Sequence, residues 1–205
     1  MLQEIHSMKK RIIGCMCILM ILSVSVMAED KEKETTSFTN TGKNPVVIIK
    51  TNFGPIIVKL NAEKAPVSVK NFLMYVEESF YDSTLFHRVI QNFMIQGGGY
   101  SVNFVSKPTK LPIENEATNG LKNTRGTIAM ARANKINSAT CQFFINLKDN
   151  DFLDHRDATP KGYGYAVFGE VIMGMDVVDK IAAVPTGQGD VPTEKVIIET
   201  IVMNK

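Results

Sequence analysis

The chain has 205 residues, of which 44% are apolar and 21% charged, with a formal net charge of +2 and no tryptophan. That length suits one ordinary domain with appendages, and the apolar share excludes a disordered or collagenous chain. A charge this close to balance gives no reason to expect nucleic acid or an anionic membrane surface as a partner.

Lys9-Lys10-Arg11 precede an apolar run from Ile12 to Met27, and Ala28 is followed by Glu29-Asp30. A short basic region, an apolar core and small residues at the exit describe a secretory signal peptide. Residues 1–28 are therefore expected to be a leader cleaved after Ala28; its retention as an amino-terminal anchor is the alternative. The run is shorter than the roughly 20 residues of a bilayer-spanning helix, and no span is expected in the mature chain. Glu4 and His6 are an odd lead into such a segment, so translation is expected to begin at Met8. A precursor peptide running from Met1 to Lys9 in mass spectrometry would end that reading. Without the leader, the chain keeps 20 basic and 20 acidic residues. Cys15 and Cys17 leave with it, so Cys141 stands alone and no intrachain disulfide can form. Its apolar context, Ala139-Thr140-Cys141-Gln142-Phe143-Phe144, predicts a buried, inert thiol.

Residues 29–44 are charged and polar and read as a flexible spacer; residues 45–205 form the folded domain. Val46-Val47-Ile48-Ile49-Lys50-Thr51 and Ile56-Ile57-Val58-Lys59-Leu60, separated by Asn52-Phe53-Gly54-Pro55, predict a hairpin. Ala65-Pro66 opens a helix, with Val69, Phe72, Leu73 and Val76 at helical spacing, that ends near Phe80. Strands are expected at 84–90 and 93–97, followed by a long polar excursion over 98–125. Further strands are expected around 127–131, 142–147, 165–172 and 195–203, with a second amphipathic helix from Met175 to Ile181. Many short strands, two helices and no βαβ rhythm argue for an antiparallel barrel or sandwich.

The stretch Phe86-His87-Arg88-Val89-Ile90-Gln91-Asn92-Phe93-Met94-Ile95-Gln96-Gly97-Gly98-Gly99 holds the chemistry. Arg88 beside Phe93 and Met94 places a rigid donor fork at the edge of an apolar pocket, which suits an apolar ring next to a hydrogen-bond acceptor. A peptidyl-proline has that character. His87 and His155 are the only histidines beyond the leader and no HExxH or Cys/His cluster is present, so zinc lacks ligands. A nucleophilic Cys141–His87 pair is the weaker reading. Gly97-Gly98-Gly99 lacks the Lys-Ser/Thr of a phosphate loop and is expected to permit backbone turns after the strand. No cofactor is expected.

This stretch resembles the signature of the cyclophilin-type peptidyl-prolyl isomerases. Two further blocks agree in order: Gly126-Thr127-Ile128-Ala129-Met130-Ala131-Arg132-Ala133 with Ser138-Ala139-Thr140-Cys141-Gln142-Phe143-Phe144-Ile145, then Asp151-Phe152-Leu153-Asp154 with Tyr165-Ala166-Val167-Phe168-Gly169. The similarity runs from about Pro45 to the carboxyl terminus and is nearest to the exported bacterial members, which with the leader implies the periplasm. The resemblance implies a mainly β fold, an eight-stranded antiparallel barrel capped by two α-helices, with its groove on the outer face. It also implies an isomerase acting on proline-containing segments of exported proteins, and a monomer is expected.

Position by position, the resemblance makes Arg88 the catalytic arginine, with Phe93 and Gln96 beside it, Gln96 positioning both the arginine and the substrate carbonyl. Met94, Phe144 and Leu153 join Phe93 as walls of the proline pocket, and Gln142 lines the groove. Ala131, Arg132 and Ala133 match the segment that pairs with the substrate backbone before the proline, whereas Phe86 and Phe143 belong to the core. Phe152 stands where many eukaryotic members carry tryptophan and Tyr165 where they carry histidine. Both substitutions keep the groove aromatic, but loss of the indole N–H removes a fixed donor and implies weak cyclosporin binding. The alternative to catalysis is a non-catalytic module or holdase that only grips proline segments.

Overall fold

The computed structural model of the protein describes residues 44–204. The expected leader, and the spacer apart from Asn44, lie outside the described residues. Eight strands occur in chain order: β1 (Val46–Thr51), β2 (Gly54–Leu60), β3 (Thr84–Ile90), β4 (Met94–Ser101), β5 (Thr127–Met130), β6 (Phe143–Asn146), β7 (Val167–Met173) and β8 (Ile197–Met203). Helix α1 (Pro66–Glu77) follows β2, and α2 (Met175–Ala182) follows β7. The strands close into an antiparallel barrel in the order β1-β2-β7-β5-β6-β4-β3-β8, with β8 returning to β1.

Period-2 patterning decides which side chains fill this barrel. In β1, Val47, Ile49 and Thr51 are buried while Val46 and Ile48 are half-buried and Lys50 is exposed. The interior is one cluster of aliphatic and aromatic side chains, including Phe72, Tyr81, Phe86, Phe143 and Phe168. Phe143 is its hub, meeting Phe72, Tyr81 and Phe86 edge-on at 5.5, 5.6 and 5.9 Å between centroids, the geometry that ring quadrupoles favour. Val69, Phe72, Leu73 and Val76 of α1 and Val177, Val178 and Ile181 of α2 enter the same cluster. Cys141 is buried there, and burial raises its thiol pKa, in keeping with an inert role.

Helix α1 ends at Glu77, three residues before the expected end, where Ser79 turns into the left-handed region at φ 52°. Its amino terminus has no local side-chain cap. Glu116, from the irregular segment after β4, supplies one instead by accepting from the Val67 and Ser68 amides at 2.9 and 2.7 Å. Those amides have no partner within a helix, and a carboxylate also suits the positive end of the dipole.

The glycine run differs from expectation. Strand β4 does not stop at Gly97 but continues through all three glycines to Ser101. The glycines serve close approach, not a turn after the strand. At Gly98 a Cβ would stand 2.8 Å from the Tyr81 ring and 3.0 Å from Phe143, and φ is +84°. At Gly99 it would overlap the Gln142 side chain, which lies across the backbone there. The turn between β3 and β4 keeps its geometry by other means, with Asn92 at φ 60°, a conformation asparagine tolerates.

Candidate active site

Strand register builds the site on the outside of the barrel. Arg88 of β3 faces Gln96 of β4, Gln96 faces Phe144 of β6, Phe144 faces Ala129 of β5, and Ala129 faces Val167 of β7. Five adjacent strands thus lay one row of residues across the outer wall. Ala129, Phe144 and Val167 of this row join Met94 and Leu153 in a second hydrophobic cluster, separate from the core, with Phe93, Ala131 and Tyr165 packed against it. The one-residue alternation explains how Phe143 fills the barrel while Phe144 faces outward.

A hollow of about 230 Å³ opens over this cluster, lined by Arg88, Phe93, Met94, Gln96, Ala131, Arg132, Phe144, Leu153 and Tyr165. The three other expected residues flank it. Gln142 accepts a hydrogen bond from Gln96 Nε2 at 2.8 Å. Phe152 stands at the rim, 53% exposed and stacked on Phe93 at 5.6 Å between centroids. Ala133 lies in an adjoining depression with Asn134, Pro160 and Lys161. A larger hollow, about 340 Å³, lies against β2 and β7 with Lys59, Asn61, Lys122 and Glu170 in its walls. It holds none of the expected residues, and its mixed charges do not suit an apolar ring.

Each wall has its own support. Tyr165 meets Phe144 edge-on at 5.7 Å, and the Arg132 guanidinium covers the Tyr165 ring at 4.8 Å. Arg132 donates to the Gly164, Pro160 and Ala133 carbonyls at 2.8, 2.7 and 3.1 Å, which locks the loop after Leu153 to the segment after β5. The polar partner of Arg88 is not Gln96, which is its cross-strand neighbour, but Asp190: Nε donates to Oδ2 at 3.1 Å.

Two supports had no signal in the sequence. Asp190 is 102 positions from Arg88 in the chain. The second support is a buried amide network. Asn150 donates to the Phe93 carbonyl at 2.9 Å and to Asn146 Oδ1 at 2.8 Å, while Asn146 donates to Asn123 Oδ1 and Thr127 Oγ1. Asn123 in turn donates to Asp154 Oδ1 from its backbone at 2.8 Å. Buried amides need such partners, and here they fix the backbone at Phe93 and the turn carrying Phe152 and Leu153.

His87 stands beside Arg88 in the chain but outside the pocket, against Tyr100 at 4.7 Å between centroids, with its buried Nδ1 lacking a side-chain partner. Burial lowers its pKa from 6.5 to about 4; a contact with the Leu85 backbone opposes the shift and the Arg88 charge adds to it. The folded state therefore favours the neutral ring, while the unfolded chain takes up a proton near pH 6.5. Stability from this group is complete above about pH 6.5 and is lost progressively down to about pH 4, a loss on the order of 3 kcal/mol. Urea titrations across that window should show a steeper acid decline for the wild type than for His87→Gln. Parallel declines would show that other groups dominate.

Comparison with known proteins agrees with this geometry. The family model for the cyclophilin type peptidyl-prolyl cis-trans isomerases matches residues 46–203. Peptidyl-prolyl cis-trans isomerase B of Escherichia coli K12 is 56% identical over 164 residues, covering 78% of this chain and all of that protein. A peptidyl-prolyl cis-trans isomerase of Acinetobacter baylyi is 60% identical over 143 residues, covering 70% of this chain and 74% of the relative. Among solved structures, a cyclophilin type isomerase of Cryptosporidium parvum, determined in the presence of the dipeptide Ala-Pro, is similar at a TM-score of 0.66 and 29% identity. That match covers 78% of this chain and 99% of the other. A closed antiparallel barrel, an outer pocket edged by an arginine and a family match over the whole barrel lead to one conclusion: the chain belongs to the cyclophilin-type peptidyl-prolyl cis-trans isomerases.

Proposed function

We propose that this isomerase accelerates proline-limited folding of exported proteins by stabilising the twisted X-Pro amide electrostatically, with Arg88 as the catalytic residue. The observation that carries the reading is the row of residues that sets Arg88 at the edge of the apolar hollow. Rotation about an X-Pro bond sacrifices amide resonance, against a barrier of roughly 18–20 kcal/mol. A catalyst needs no nucleophile, only tighter binding of the twisted amide than of either planar form. In the twisted state the prolyl nitrogen regains its lone pair and becomes an acceptor. Arg88 supplies donors in a rigid fork that stays charged at any physiological pH, so it acts as a fixed charge and not as an acid or base.

In this reading Phe93, Met94, Phe144 and Leu153 hold the proline ring. Gln96 and Gln142, joined at 2.8 Å, present amide groups to the substrate carbonyl, and Ala131, Arg132 and Ala133 run beside the chain preceding the proline. Phe152 and Tyr165 extend the apolar wall. That the Cryptosporidium structure was determined in the presence of Ala-Pro supports this reading. A protease-coupled assay on residues 29–205 with a proline tetrapeptide tests the activity; failure to accelerate cis-to-trans exchange would overturn the reading.

Export rests on the basic and apolar leader of residues 1–28. Amino-terminal sequencing of the protein from the periplasmic fraction should begin at Glu29, and an intact amino terminus in the cytoplasm would contradict it. Phe152 supplies a stacked ring but no indole N–H, so cyclosporin is expected to bind weakly. Calorimetry returning nanomolar affinity would refute that expectation.

A further inference from the structure

We propose that Asp190 is a positioning residue for Arg88: by anchoring Nε it fixes the guanidinium plane and leaves both terminal nitrogens for the substrate. The inference rests on the reading of Arg88 as the catalytic group. Among the described residues, the Asp190 carboxylate is the polar partner of the Arg88 side chain, at 3.1 Å from Nε. A guanidinium is planar, so holding Nε sets the direction in which the two terminal NH2 groups point. Both side chains are about two-fifths exposed. Solvent screens the attraction of such a pair, and its effect is one of orientation more than of binding strength.

The loop that presents Asp190 is built for this purpose. Its base is tied by the Thr186–Pro192 bridge, by Gly187 N–H to the Val191 carbonyl at 2.8 Å and by Thr193 N–H to the Pro185 carbonyl at 2.8 Å. Its tip, the 3-10 turn Gln188–Asp190, contains two consecutive left-handed residues, Gly189 at φ 74° and Asp190 at φ 62°. A left-handed conformation is uncommon for a residue with a side chain, and aspartate is among those that tolerate it. It turns the carboxylate back toward β3. No residue of the loop lines the hollow, and its side-chain hydrogen bond to a lining residue is the one from Arg88 to Asp190.

Two variants separate side chain from backbone, because glycine and asparagine both accept the left-handed conformation. Asp190→Gly removes the acceptor, and Asp190→Asn keeps a side-chain oxygen for Nε without the charge. We expect Asp190→Gly to lower kcat by about tenfold with KM little changed, and Asp190→Asn to stay within about twofold of wild type. Nitrogen-15 NMR should show the Arg88 Nε–H exchanging faster with water in Asp190→Gly, at an unchanged thermal midpoint. A purely structural loop would not give that signature. Wild-type kcat in Asp190→Gly, or equal losses in both variants, would overturn the proposal. Arg88→Ala measured in parallel separates the two failures: if Arg88→Ala loses most of its turnover while Asp190→Gly keeps the wild-type kcat, only the role of Asp190 falls. If Arg88→Ala keeps full turnover, the reading beneath it falls as well.

Discussion

Replacing Arg88 by alanine is expected to lower kcat/KM on a proline tetrapeptide by about two to three orders of magnitude, the usual cost of losing one preorganised donor aimed at a developing charge. The fold should survive. Arg88 is 42% exposed, and its ion pair with Asp190 joins two solvated groups, a class of contact worth about 0–1 kcal/mol. Among the described residues Arg88 makes no other side-chain hydrogen bond, and the β3–β4 ladder at this position is made by backbone groups. Arg88→Lys should fall between the two, since lysine keeps the charge but loses the planar fork. Exchange NMR on a proline peptide measures all three proteins at equilibrium without a coupling protease. Wild-type exchange rates in Arg88→Ala would remove electrostatic stabilisation by this residue from the mechanism.

The largest stability effect is expected one position away from a pocket residue. Phe143→Ala should cost about 3–5 kcal/mol, the range for deleting a buried phenylalanine, out of a total of about 5–15 kcal/mol for an ordinary domain. Phe143 is fully buried and contacts three aromatic rings, and Gly98 exposes its backbone to the same ring. The cavity left behind is walled by strands tied on both sides, so it cannot collapse. Phe144→Ala removes the same group from the smaller outer cluster and should lose less stability and more turnover. Urea denaturation with activity measured on the same preparations checks the pair. A loss below about 1 kcal/mol for Phe143→Ala would mean that the core repacks around the gap.

That contrast also shows what could be read from the chain alone. Strands and helices were legible because alternation and helical spacing are local, and their ends moved by only a few residues. Phe143 and Phe144 could be assigned to opposite faces because three ordered motifs tied them to a family, whereas burial alone would call both core. The glycine run misled, since three consecutive glycines read locally as a turn. Their use is to let Tyr81, Phe143 and Gln142 approach a continuous strand, and those neighbours are known only after folding. Asp190 was invisible for the same reason. An aspartate in a glycine-containing loop looks like turn chemistry, and nothing local marks it as the partner of an arginine in a distant strand. Asn123, Asn146 and Asn150 are buried amides whose partners are likewise assembled from separate segments.

A closed barrel has one more consequence under the proposed role in protein folding. An open sheet offers its outer strands as templates on which an extended polypeptide can add, the first step of co-aggregation. Here β8 pairs with β1 and every strand has a neighbour on both sides. Among the described residues the barrel offers an extended chain no unsatisfied ladder, and in the proposed reading a client is held at Ala131–Ala133 and in the side-chain pocket beside it. Under that proposal the grip stays local, and the barrel itself gives a bound chain no sheet edge on which to seed aggregation.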